Sequence, residues 1–434
     1  VAGINPIKCV GATGIALLLS SVPGFAGPFG DGVGTDNPDL LYPAFAGKCT
    51  DQAGEVIACD TGAEQAVIWN GQGPITEITR DLTISAGTSN SDADGGLLIL
   101  RIRPGLGMNY GDEGDGVAAS IGADLRRGPG DSLVVDGIDG SFEAGRQFGD
   151  QRSIATTHSL GLSVGRPGEG GVPDDAEAAP VSFDWDGTVT GQQDFGGVAL
   201  ELRLNGARHQ VTDTVLADLS TVDNAEQRYW RYGGGGRVSA ELTPILSVFA
   251  DYSFSRTLFD APSTSLGAKL DGNTETASLG LAASRDETLS GEFALTALRR
   301  SFDDPGLDPV IGTGANGSVR FVPTDGVVLT ASAAKSIAPT EEDGASAAVT
   351  QSIDLTGEYL LTDTITLRGS AGYSDISYPE AANRRYETRF GLGVDHTIDE
   401  FTRFFANYGY SKNDDLVDGI EEVHSIEAGV AISR

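Results

Sequence analysis

The run Leu246-Ser247-Val248-Phe249-Ala250-Asp251-Tyr252-Ser253-Phe254-Ser255 decides the fold. Leu246, Val248, Ala250, Tyr252 and Phe254 share one parity and are apolar. Ser247, Asp251, Ser253 and Ser255 share the other and are polar, with Phe249 the exception. Successive side chains of a strand point to opposite faces, so this run reads as a strand with one greasy and one wet side. The habit recurs. Val181, Phe183, Trp185 and Val189 alternate with Ser182, Asp184, Asp186, Thr188 and Thr190, and Val198, Leu200, Leu202 and Leu204 alternate with Glu201, Arg203 and Asn205. Ile365, Leu367, Ala371 and Tyr373 oppose Thr366, Arg368, Ser370 and Ser374; Tyr386, Phe390, Leu392 and Val394 oppose Glu387, Arg389 and Asp395. Such stretches are long enough to cross a bilayer when tilted.

The connections alternate in length as well. Short ones fall near Gln192–Asp194, Leu242-Thr243, Asp286–Leu289, Pro323–Gly326, Leu361–Asp363 and Thr397–Asp399. Between them lie seven long ones: Gly168–Pro180, Gln210–Glu226, Leu258–Asn273, Asp303–Gly312, Ala338–Ser346, Ile376–Arg384 and Lys412–Glu422. Those seven hold 22 acidic residues against three basic ones, and so supply −19 of a net charge of −33. A membrane barrel needs this asymmetry, with tight turns on the periplasmic side and longer loops outside. Counting back from Val423–Ser433 gives 18 strands, the first near 80–88. An even number places both ends of the barrel on the periplasmic side. The fold expected for residues 80–434 is therefore all-β: a transmembrane antiparallel up-and-down β-barrel of about 18 strands.

A soluble sandwich or solenoid also alternates its strands. Over this length, however, it would usually break into domains joined by linkers, and no change of composition follows Arg80. The polar parity carries charges of both signs: Arg231, Arg237, Glu241, Asp251, Glu292, Arg300, Arg320, Asp354, Arg368, Arg389, Arg403 and Glu427. Together with the loop asymmetry and an export signal, these twelve are expected to face a wet lumen, most of them neutralising one another across the wall. A solute-selecting ladder is the sharper alternative.

The export signal is Cys9–Pro23, centred on Ile15-Ala16-Leu17-Leu18-Leu19 and followed by Gly24-Phe25-Ala26. It is expected to be cut after Ala26, so residues 1–26 are a signal peptide; a buried N-terminal helix is the competing reading. Elsewhere no 18 consecutive apolar residues occur, which excludes membrane-spanning helices. Residues 27–79 are then a periplasmic extension or a plug. They hold Cys49 and Cys59, expected to form a disulfide in an oxidising compartment, with free thiols or half a zinc site as alternatives. With 62 Asp plus Glu against 29 Lys plus Arg, nucleic acid is an improbable partner. The 60 glycines have no Gly-X-Y period, which argues against collagen.

From about Arg80 onward the chain resembles the second "putative β-barrel porin" family of proteobacterial outer-membrane proteins. The likeness lies in Leu98-Ile99-Leu100-Arg101-Ile102-Arg103-Pro104-Gly105-Leu106, in Tyr229 to Tyr252 with its Glu241-Leu242-Thr243-Pro244 turn, in Arg299-Arg300-Ser301-Phe302-Asp303-Asp304-Pro305, and in Phe390-Gly391-Leu392-Gly393-Val394-Asp395-His396. The resemblance implies a barrel in the bacterial outer membrane, surrounded by lipid and lipopolysaccharide, that passes hydrophilic solutes or exports a surface polysaccharide.

Other motifs have plainer readings. The four histidines, His158, His209, His396 and His424, fall on different strands, and a hydrolytic triad needs converging groups. His158 shares its parity with Leu160 and Leu162 and so points at lipid or the interface. No enzyme activity, cofactor or metal site is expected. Gly312-Thr313-Gly314-Ala315-Asn316-Gly317 matches a dinucleotide fingerprint but leads into a strand, so it reads as a loop entering that strand. The carboxylates of Asp31–Asp39 and Ser91–Gly96 read as turn chemistry instead of a calcium loop. Gly233–Gly236, inside a strand, marks local curvature or a thin-walled pocket facing the lumen. Two functions stay open: a channel, and a structural or surface-interaction barrel with acidic loops and a plugged lumen.

Overall fold

The computed structural model describes residues 48–50, 56–58, 76–89, 98–112, 115–128, 132–166, 172–173 and, from 176 onward, all but 341, 343, 382 and 418. β1 (Lys48–Thr50) and β2 (Val56–Ala58) form a small ladder with Cys49 opposite Ile57. The next five are β3 (Thr76–Ser89), β4 (Leu98–Asp112), β5 (Asp115–Arg127), β6 (Val134–Gln147) and β7 (Arg152–Val164). Then come β8 (Ala176–Ala178), β9 (Val181–Asp194), β10 (Val198–Val211), β11 (Thr214–Leu216), β12 (Thr221–Val222), β13 (Tyr229–Thr243) and β14 (Leu246–Phe259). β15 (Gly272–Arg285), β16 (Leu289–Phe302), β17 (Val310–Thr324), β18 (Val327–Ala338) and β19 (Ala348–Thr362) follow. The chain finishes with β20 (Ile365–Tyr378), β21 (Asn383–Thr397), β22 (Thr402–Asp415) and β23 (Gly419–Ser433).

Eighteen of these, all but β1, β2, β8, β11 and β12, form one closed antiparallel barrel. Closure is made by β23 and β3, with Ser433 opposite Asp81, and the backbones of Arg80 and Arg434 exchange two hydrogen bonds of 2.7 and 2.9 Å. No barrel strand is left with an open edge, the condition for placing a sheet in hydrocarbon. The closing pair also brings the first and last barrel strands together at the short-turn end.

The eighteen strands match the sequence count, but two long loops shorten. β20 runs to Tyr378 and β21 starts at Asn383; β22 runs to Asp415 and β23 starts at Gly419. Lys412 lies opposite Glu422 and Asp415 opposite Gly419 within the ladder. Backbone pairing is indifferent to side-chain polarity, so polar residues mark where the surroundings turn aqueous and not where the strand ends. The loops flanking β9 and β10 add a three-stranded sheet of β12, β11 and β8 outside the barrel. The Gly312–Gly317 run also departs from the sequence reading. It lies wholly inside β17, where Gly314 leaves room for Lys335: a Cβ there would sit 2.7 Å from the Lys335 Cδ.

The two faces separate as alternation requires. One parity presents Leu202, Leu204, Leu279, Leu295, Leu392 and Ile426, each well exposed. The other carries the charges, and its curvature is fixed by a contact. Arg237 on β13 donates to Glu292 on β16 at 2.6 Å, passing over β14 and β15. Three strand spacings are about 14 Å along a sheet; two side chains close such a span only on the concave side. The charged parity is therefore the inner wall. Gly233 and Gly235 belong to it, and they show how tightly the wall bends. A Cβ on Gly233 would overlap the Phe254 carbonyl, and one on Gly235 would lie 2.8 Å from the Tyr252 carbonyl. The glycine run is thus a site of close strand approach, the curvature reading of the sequence.

Candidate functional site: the charged inner wall

Two clusters organise the wall. In the first, Arg203 bonds Asp251 and lies 3.3 Å from Glu201, while Arg237 bonds Glu292. The Arg237 guanidinium also sits 3.5 Å above the Phe249 ring. The Phe249 ring reaches over Gly280 on the neighbouring strand, where any Cβ would overlap it. A glycine floor, an aromatic ring and a stacked arginine restrict that arginine's rotamers as well as neutralising its charge. Phe249, the exception to alternation, is thereby explained: it is an inner-wall platform. Three carboxylates and two guanidinium groups leave this cluster with one excess negative charge.

In the second, Asp395 on β21 is 2% exposed and lies 2.6 Å from Arg368 on β20 and 3.7 Å from Arg403 on β22. Arg368 also donates to Asn407 at 3.4 Å. Phe405 lies over Gly429, whose Cβ would come 2.7 Å from the ring, repeating the aromatic-on-glycine device. Two guanidinium groups thus flank one carboxylate. β22 is eight strands from β14 in a ring of eighteen, so the two clusters occupy nearly opposite walls.

Of the other residues expected in the lumen, Arg389 approaches Asp354 at 3.5 Å, and Arg231 approaches Asp186 at 3.4 Å. Glu427 accepts from Ser85 across the closing seam. Arg320 lies opposite Ser290 and Thr330, and Glu241 opposite Ser247. Arg300 is buried near the loop end of β16. The sequence expectation missed Arg103 with Asp124 (2.9 Å) and Asp136 with both Arg126 (3.2 Å) and Arg166 (2.7 Å). It also missed His209 with Asp184 at 2.5 Å. The parity rule alone would have placed most of these on the wall; their pairing needed the register of neighbouring strands. The disulfide candidate cannot be placed in full, because Cys59 lies outside the described residues, as do residues 1–47, with the signal segment and Asp31–Asp39, and residues 90–97.

The outer face carries a different chemistry near the loop end. Trp230 lies 6.2 Å from Trp185, which stacks on His158 at 6.1 Å. Arg208 covers Trp230 at 5.3 Å and holds Asp260 with hydrogen bonds of 3.0 and 2.7 Å. Those hydrogen bonds hold the Asp260 carboxyl below the usual carboxylate range, and Arg256 does the same for Asp303. Amphipathic rings with tethered cations suit the depth at which hydrocarbon gives way to headgroups.

At the same end the inner wall turns apolar and is covered. Tyr229 and Phe259, both on the charged parity, are buried with Leu270, and Leu266 and Leu307 pack against them. Ile376 and Tyr378 are buried with Ala345 and Ala348, and Leu298 with Val310, Ile337 and Ala347. Residues on a concave face can be covered only from inside, so the segments 260–271 and 344–347 fold inward at the mouth.

The family described as "Putative beta-barrel porin 2" matches residues 148–434. No curated protein matches the chain. Among solved structures, the FrpB iron transporter of Neisseria meningitidis is similar at 12% identity and a TM-score of 0.45, over 78% of this chain and 62% of that one. OpdO of Pseudomonas aeruginosa is similar at 10% identity and 0.42, over 83% and 97%. OmpT of Vibrio cholerae, an outer membrane protein, is similar at 12% and 0.34, over 85% and 100%. The chain thus spans less than two thirds of the iron transporter's length.

Proposed function

The chain belongs to the β-barrel porin family described as "Putative beta-barrel porin 2", and from that premise we propose that it is a passive channel of the bacterial outer membrane for small hydrophilic solutes. The observation that supports this reading most is the inner wall of fixed ion pairs, one of them stacked on the Phe249 ring. A closed barrel of this strand number has room for a water column, and fixed charge along it filters solutes. Fixed charges of both signs along the wall favour solutes that carry both signs or a strong dipole. The inward folding of residues 260–271 and 344–347 narrows the loop end and favours small solutes over a surface polysaccharide, the other cargo that the resemblance implies. The outer face, with its tryptophan and arginine belt, fits a surrounding of lipid and lipopolysaccharide. This reading assigns the chain no catalytic step.

Planar bilayers test it. The purified chain is expected to insert with discrete ohmic current steps. Replacing two carboxylates of the first cluster, Asp251→Asn with Glu292→Gln, is expected to raise the chloride-to-potassium permeability ratio about twofold, because it removes fixed negative charge from the wall. Insertion without current would support the structural barrel instead, and an unchanged ratio would remove the cluster from the selectivity path.

A further inference from the structure

Among the described residues Arg300 is the largest fully buried side chain, at 1% exposure, and it sits on the inner wall at the mouth. Its hydrogen bonds go to neutral oxygens alone: Nη1 donates to Thr274 Oγ1 at 3.3 Å and Nη2 to the Leu270 carbonyl at 3.2 Å. Nε has no partner. The Phe302 ring lies 5.2 Å away, with the Tyr229 phenol and the like-charged Arg231 nearby. Among the described residues no carboxylate pairs with this guanidinium, unlike Arg203, Arg237 and Arg368, and burying it so is costly.

The segment 260–271 reaches it through the Leu270 carbonyl, and Leu270 packs beside it on Tyr229 and Phe259. Both ends of this segment are fixed. Asp260 is held by Arg208, and Asp271 accepts from the Phe259 amide at 2.6 Å while its carbonyl accepts from the Asp303 amide at 2.9 Å. The middle is a small hairpin in which the Ser263 amide bonds the Ala268 carbonyl at 2.9 Å and Gly267 adopts a φ of +63°. That hairpin is tethered by the Leu266 contact and by two exposed hydrogen bonds, from the Thr264 amide to Glu226 and from the Gly344 amide to Ser265 Oγ at 3.0 Å. Firm ends, a light middle and a strained charge beneath describe a flap.

We propose that residues 260–271 form a lid over the outer mouth and that Arg300, under it, is a binding site for a small free oxyanion whose capture opens the lid. An oxyanion such as phosphate would take two parallel hydrogen bonds from the guanidinium and replace the Leu270 carbonyl. The closed state has Arg300 sealed off, so the anion binds the open state alone, and a ligand with that preference moves the population toward opening. The inference rests on the channel reading, and its tests separate the two.

Inorganic phosphate, substituted for chloride at constant ionic strength, is expected to raise the fraction of time the full-length channel spends in its larger conductance level about fivefold. Arg300→Gln retains an amide donor and loses the charge, and is expected to lose the phosphate response. Deleting 264–267 is expected to lock the larger level, with or without phosphate. If the deletion variant conducts and the unaltered chain ignores phosphate, the lid inference falls while the channel stands. If no variant conducts, the channel reading falls, and a second readout decides the lid. Leu266→Cys, in a chain with Cys9, Cys49 and Cys59 changed to Ser, is expected to react with a water-soluble maleimide about fivefold faster in phosphate, and not in the Arg300→Gln background. Equal rates would overturn the proposal.

Discussion

Deleting Gly419–Arg434 is expected to leave no folded barrel. β23 shares fourteen paired positions with β22 and nine with β3, so its removal opens two edges at once. In hydrocarbon an unpaired backbone group costs several kcal/mol, and no water is available to compensate. Nor can the seventeen remaining strands close as they do now. β22 and β3 both rise from the short-turn end to the loop end, so joining them would need a parallel pair in an otherwise antiparallel sheet. Unheated samples of the full chain in detergent gels are expected to migrate as a compact species that heating converts to an extended one. The truncated chain is expected to show the extended species alone, and a compact band from it would mean that closure through β23 does not hold the fold.

The second large effect separates the faces. Leu279, at the middle of β15, is 64% exposed, with Ala250 and Leu295 on the flanking strands. Leu279→Arg places a charge at mid-depth against lipid and is expected to destabilise the barrel in vesicles by about 2–4 kcal/mol. Asn205→Arg, at the middle of β10 and on the inner wall opposite Thr188 and Gly233, adds the same group to the wet side and is expected to cost less than about 1 kcal/mol. Urea titration of refolded samples measures both. Equal costs at the two positions would mean that the faces do not meet different media.

The barrel was legible because alternation reports which medium each side chain touches, and one-dimensional sequence preserves that signal residue by residue. The strand count and the short turns followed from the same pattern. Strand ends beyond the membrane did not, since past the hydrocarbon both parities are polar while the ladder continues, as from Lys412 to Asp415. The inward-folded mouth was hidden for the converse reason. Tyr229, Phe259, Leu298 and Ile376 are apolar members of the polar parity, and alternation cannot distinguish a residue capped by a loop from an irregular strand. Phe249 belongs to the same class of exception, with Gly280 and Arg237 as its partners. The charged clusters were legible as a set of wall residues and not as pairs: Arg203 and Asp251 stand 48 positions apart, and Arg237 and Glu292 stand 55 apart. Only the register of intervening strands joins them.

The arrangement of greasy exterior and watery interior can be read directly by placing a nitroxide at each position from Leu200 to Asn205 of β10, in lipid vesicles and in a chain freed of native cysteines. Oxygen collisions are expected to peak at Leu200, Leu202 and Leu204, and collisions with a water-soluble nickel complex at Glu201, Arg203 and Asn205. In-phase profiles, or nickel access at all six positions, would contradict the membrane channel.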